Sequence, residues 1–259
     1  MLTTAQDRAQ LLAAAYPGDL SVRSLLDFCT LPPEVLDQLA QLAAPEDWGD
    51  RGDVLQRYLA VHVPLAVEQG RYVWSGKELV MRAGHLTTAT GAALYLGLSR
   101  AEGDRWRLAW ASDRPANLEN LIPPDLGPWP EIDPGLEVLV AMDQVRVPQL
   151  AGLPLVTQQA AVAGAVEWSL RRGLAVRHLH GGCRMHFVPL HLTDRDGAPD
   201  LAAPMQVQSD RLLVRALIEP WHAYASARAV AERRELPAWL LDAWERVRAR
   251  PSATHTSNC

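Results

Sequence analysis

The chain has 259 residues, 48% of them hydrophobic and 21% charged, which suits a globular protein with an ample core and excludes wholesale disorder. Its net charge of −5 argues against a generic, charge-driven nucleic-acid binder. No apolar run reaches the length of a membrane span and the N-terminus lacks a charged-then-apolar signal pattern. Cys29, Cys183 and Cys259 are scattered thiols without framework spacing, so the expected setting is a reducing, cytoplasmic one with no membrane contact.

Residues 2–16 and 21–43 read as helices, with Ser21 a cap and Pro32-Pro33 restarting the chain at helical N-terminal positions. We take 1–50 as a helical cap packed on an α+β core of 51–250, with 251–259 a flexible tail. Residues 53–70 read as a longer amphipathic helix that Pro64 is expected to kink. Strand chemistry begins at Arg71, with a hairpin through Ser75-Gly76 and further strands at 93–98 and 106–111, giving a mainly antiparallel sheet. Six prolines between 114 and 134 mark an ordered loop or lid that Leu118, Leu121, Ile122 and Trp129 can pin. A strand follows at 135–142. The clearest helix is 155–172, with Val156, Ala160, Ala163, Val166 and Leu170 as its expected inner face. Strands at 201–208 and 212–217, a helix from Glu219-Pro220 to about 234 and a last helix at 237–248 complete the chain. The class is α+β, with flanking and C-terminal helices.

The most informative stretch is 175–192, which holds four of the eight histidines. Gly181-Gly182 between alternating arms predicts a tight hairpin, because a primed turn needs positive φ. Period-2 geometry then puts His178, His180 and Cys183 on one face among apolar residues, and Arg177, Arg184 and His186 on the other. The first face is a core wall or, as the alternative, a zinc site at His178, His180 and Cys183. No second ligand pair completes a tetrahedral set, so no metal or other cofactor is expected. The second face is a cationic strip suited to an anion. Residues 144–192 carry five arginines against the single Glu167, on a chain whose only lysine is Lys77. Any anion site here therefore uses the bidentate guanidinium fork.

Several phrases resemble a bacterial family known as domain of unknown function 3825. They are Leu26-Asp27-Phe28 with Glu46 and Trp48; Leu55 and Tyr58-Leu59; Leu86 with Gly91 and Tyr95; Arg114-Pro115; Arg146-Val147-Pro148; Val188-Pro189-Leu190; and Tyr224 with Ala227-Arg228. They run from about residue 25 to 240. The resemblance implies an RNA-linked role, since members are joined to cold-shock or OST-type helix-turn-helix modules, and leaves the activity unassigned. The chain departs from the pattern at Ala83-Gly84-His85-Leu86, where relatives have Asn-Thr-Gly-Leu, at Asp143, where Asn is expected, and in its histidine run.

No Walker loop, nucleophile elbow, H-E-x-x-H or Rossmann fingerprint is present. The leading expectation is a binding module for RNA or a phosphate-bearing nucleotide. Arg114, Arg146, Arg177, Arg184 and Arg228 would grip phosphate, and Tyr224, Trp221 or a lid residue would stack a base. The alternative is an enzyme on a phosphodiester or nucleotide, with His186 or His178 as general acid or base and Asp143 or Asp113 orienting it. A third reading is a structural or regulatory protein that meets a protein partner through the helical cap.

Overall fold

The computed structural model describes residues 20–101, 105–114, 121–143, 147–180 and 182–249. The expected helix at 2–16, the pinning residue Leu118, Arg146 and the tail at 251–259 lie outside them. The chain is α+β, and its described residues hold six helices and two five-stranded sheets where one sheet was expected. It divides into two compact units. The first draws on the described residues of Met1–Trp129, His178–Arg184 and Ala225–Arg234; the second on those of Pro130–Arg177, Met185–Tyr224 and Glu235–Cys259.

In the first unit, α1 (Val22–Phe28) starts where the Ser21 hydroxyl accepts from the Ser24 amide, satisfying one of the free N–H groups of the first turn. A two-residue strand, β1 (Cys29–Thr30), separates it from α2 (Pro33–Leu42), which begins with Pro at its first position, where no amide is needed. The long helix α3 (Asp53–Glu68) is buried over most of its length and continues through Pro64.

Strands β2 (Tyr72–Ser75), β3 (Glu78–Thr87), β4 (Ala93–Arg100) and β5 (Trp106–Ser112) form an antiparallel meander, and β1 closes the sheet by pairing parallel to β5. Alternation sorts its faces. Leu79, Met81 and Ala83 of β3 and Leu94, Leu96 and Leu98 of β4 are fully buried and form the core with the helices. Phe28 of α1 lies 6.3 Å from the Trp106 ring on that face.

The second unit holds β6 (Glu137–Val140), α4 (Leu155–Arg171), most of β8 (Cys183–Leu190), β9 (Leu201–Val207), β10 (Arg211–Val214) and α6 (Ala238–Arg248). The second sheet runs β6-β10-β9-β8-β7, with β6 and β10 parallel and β7 being Val176–His180. The core of this unit gathers Val138, Val162, Val166, Val188, Met205 and Leu212.

The inner face of α4 matches expectation at Val166 and Leu170 and departs from it at Val156 and Ala160, which are exposed. Val162, Val166, Ser169 and Leu170 are buried, while Val156 is 71% exposed. An unbroken run of small apolar residues fits more than one helical face, and the buried Ser169, whose hydroxyl donates to the Pro189 carbonyl at 2.5 Å, fixes which one turns inward. The helix expected from 219 to about 234 is shorter: α5 spans His222–Arg228, and a 3-10 turn follows at Arg233–Glu235. No helix among the described residues is long and apolar enough to cross a membrane.

Candidate functional site

The predicted cations occupy very different surroundings. Arg228 is only 6% exposed and stands in a closed network of the first unit. Its Nε donates to both Glu46 carboxylate oxygens, at 2.8 and 3.0 Å, and its Nη1 donates to His85 Nε2 at 2.9 Å and to the Ala231 carbonyl at 3.1 Å. The Trp48 and Tyr58 rings lie 5.2 and 5.7 Å from the guanidinium carbon. Tyr58 donates to the Ala83 carbonyl and accepts from the His85 amide, and His62 stacks on it at 4.2 Å. Gly84, at φ +53°, leaves room for this packing: a Cβ there would run into the Tyr58 hydroxyl. Burial holds His62 down at about 4, and burial with the neighbouring His62 and Arg228 charges holds His85 at about 2. Both imidazoles are neutral at physiological pH. A guanidinium whose charge is met by a buried carboxylate offers no fork to a phosphate, so Arg228 belongs to the framework.

Arg114 is exposed, with Asp113 at 4.0 Å. Arg177 and Asp143 are exposed and belong to the second unit, as do His186 and Tyr224. Tyr224 is fully buried, its ring stacked on Trp244 at 4.6 Å and 7°, which leaves no face for a base. Trp221 lies against His222, with ring centroids 3.6 Å apart. His186 is buried, and burial together with nearby Arg177 lowers it to about 4, which corrects the expectation of a group titrating near neutrality. His178 is buried in the hairpin, whereas His180 and Cys183 are exposed, so the three proposed zinc ligands do not share one environment. Among the described residues no group of three or more His, Cys, Asp or Glu could hold a metal ion.

Arg184 is the exception among the predicted cations. It sits at the hairpin tip, just after Gly182, whose φ of +76° meets the turn requirement; Gly181 lies outside the described residues. Its Nε donates to the Leu126 carbonyl at 2.7 Å, and its guanidinium carbon lies 5.9 Å from the Trp129 ring centroid. Gly127, at φ +67°, permits this approach, since a Cβ at that position would collide with Arg184 Nη2. Among the described residues no carboxylate pairs with Arg184.

Beside it lies a pocket of about 370 Å³, all within the first unit. Leu20, Leu65, Leu126 and Leu179 form apolar walls, and Glu68, Gln69 and Arg184 supply the polar groups. Each wall is fixed. Arg57 donates to the Leu20 and Leu179 carbonyls at 3.3 and 3.1 Å. Gln69, one residue past α3, clamps the Pro-rich segment: its amide donates to the Asp125 carbonyl and accepts from the Asp125 amide, both at 2.7 Å. Leu126 and Trp129 pack partly buried against Leu20, Val61 and Leu65, whereas Ile122 is 49% exposed. The Pro-rich segment is thus pinned by Leu126 and Trp129 rather than Ile122. Sequence reading found Arg184 and Trp129 but not Glu68, nor Gln69 and Leu20, whose partners Asp125 and Arg57 lie far along the chain.

The larger hollow, about 690 Å³ in the second unit, is lined by Asp196, Asp242 and Glu245 against Arg246. Its excess of carboxylates is unsuited to an anion.

No family model, curated protein or solved structure matches the chain. The resemblance to the bacterial family therefore rests on the short phrases alone, and the functional reading rests on the geometry.

Proposed function

We propose that the protein is a binding module for a phosphate-bearing nucleotide, taken into the leucine-walled pocket with its phosphate on Arg184. The observation that carries the reading is the state of that guanidinium. It is exposed, held in place through Nε and the Trp129 ring, and unpaired with any described carboxylate, at a concave site lined by four leucines together with Glu68 and Gln69. Holding Nε by a backbone carbonyl pre-orients the terminal nitrogens for a two-point grip on an oxyanion. A pocket of about 370 Å³ falls in the range of small-ligand sites and suits a single nucleotide, free or at the end of an RNA chain, better than a duplex. The RNA association implied by the family resemblance points the same way.

The test is equilibrium binding of nucleoside monophosphates, the matching nucleosides and a short single-stranded RNA, at two salt concentrations. The monophosphate is expected to bind and the nucleoside not. Arg184→Met is expected to weaken binding by roughly tenfold to a hundredfold, as the loss of charge-assisted hydrogen bonds worth about 1.5–3 kcal/mol requires. Equal affinity of the nucleoside, or binding indifferent to Arg184→Met, would overturn the reading.

A further inference from the structure

A second group of arginines lies in the first sheet, on the face turned away from Leu79 and Met81. Arg82 of β3 stands opposite Tyr95 of β4, and Tyr95 stands opposite Ser112 of β5. Tyr72 pairs with Met81, so the same register carried one residue further brings Arg71, just before β2, opposite Arg82. Residues opposite one another in an antiparallel ladder share a face, so Arg82, Tyr95 and Ser112 form one row across three strands, with Arg71, whose amide donates to the Ala66 carbonyl, at its open end. The next row on this face holds Val73, Val80, Gly97 and Trp110, with the indole laid over Gly97 where a side chain would collide with it.

The row sets two guanidiniums, which only donate, beside two hydroxyls, of which Ser112 already accepts from the Arg114 amide. Like charges directly opposite each other destabilise a sheet, and a half-buried guanidinium ordinarily finds a carboxylate or a carbonyl. Arg228 has Glu46, and Arg57 has two carbonyls. Arg71 and Arg82 have neither: each is half-buried, each Nε is buried without an acceptor, and neither takes part in an ion pair among the described residues. The carboxylates nearby are engaged elsewhere. Glu78, on the same face of β3, accepts from Trp110 Nε1 at 2.8 Å, and Asp113, beside Ser112, faces Arg114. Tyr95, 8% exposed, adds a hydroxyl to the row.

We propose that the Arg71–Arg82 row is an oxyanion site that takes a phosphate group between its two guanidinium forks, with Tyr95 alongside. An anion there supplies both the missing acceptors and the missing counter-charge. The site shares no residue with the Arg184 pocket and does not depend on it.

Thermal unfolding in an Arg184→Met background tests it, because that change removes the pocket's cation. Inorganic phosphate, compared with chloride at equal ionic strength, is expected to raise Tm by about 2–4 °C. Adding Arg82→Met abolishes that rise without lowering the phosphate-free Tm, since one of two opposed charges is gone. Arg71→Met, at the open end of the row, gives the same readout should the Arg82 variant not fold. A short single-stranded RNA in place of phosphate separates the sources. A larger shift that also needs Arg71 and Arg82 assigns the site to a chain phosphate, and a smaller one assigns it to the free ion. No phosphate-dependent shift in the Arg184→Met protein, or a shift that survives loss of either arginine, overturns the proposal.

Discussion

Arg228 and Glu46 stand 182 positions apart in the chain, yet the Nε of one lies 2.8 Å from the carboxylate of the other, with both side chains under a tenth exposed. Removing one partner strands a buried charge. Arg228→Met or Glu46→Gln alone is expected to cost about 3–5 kcal/mol, and the double change less than the sum of the two. Denaturant melts of the four proteins measure this, and additive losses would show that the two groups act independently.

The neutral imidazoles set a pH dependence. His62, His85 and His186 all have native values below the ordinary 6.5, at about 4, 2 and 4. The unfolded chain therefore binds more protons than the native one below about pH 6.5, and stability falls as the pH drops from there towards 4. Above pH 7 these groups contribute no slope. Replacing His62 by Gln is expected to flatten the acid limb of a Tm-against-pH curve. An unchanged limb would place the acid sensitivity in the carboxylates.

Gly127 is expected to control the pocket through Arg184. Gly127→Ala forces a strained φ and pushes on the guanidinium, so it lowers both stability and nucleotide affinity. Gly91→Ala is the control, since its φ of +84° carries the same backbone cost and nothing lies within 4 Å of the added carbon. Isothermal titration of the two variants separates strain from displacement, because only the first weakens binding.

Two residues of the expected inner face of α4 are expected to answer differently to the same insult. Val156→Asp, at a position 71% exposed, changes stability by no more than about 0.5 kcal/mol. Val166→Asp buries a charge in a core position at 0% exposure and unfolds its unit. Both positions fall on the face that periodicity alone suggests, so a Val156→Asp variant that melts as wild type in circular dichroism shows that this face turns inward only past the first turns of α4.

Much of this architecture is written locally. Ser21 announces α1, Pro33 opens α2, Gly76 turns β2 into β3, and Gly182 marks the hairpin tip. These signals act over a few residues and read correctly from order alone. The second sheet did not, because each sheet is completed by a parallel strand from a distant segment, β1 on β5 and β6 on β10, and no local signal records such a pairing. The candidate site divides in the same way. Arg184 and Trp129 stand out by chemistry and position, whereas Gln69 is an ordinary residue at a helix end until Asp125 is brought against it. Arg228 and Tyr224 misled for the same reason: residue type suggests a ligand contact, and only burial reveals that Glu46 and Trp244 already occupy them.

The short outer strands bear on how the molecule meets copies of itself. The first sheet ends in β1, two residues long, and β2, four residues long; the second ends in β6 with four residues and β7 with five. A strand of that length offers a passing chain few free amides and carbonyls in register. The longer strands β3, β4 and β8 are internal, with ladders taken on both sides. A fold rich in β-branched and leucine-lined strands thus keeps its most adhesive backbone away from its borders, a safeguard against edge-to-edge aggregation.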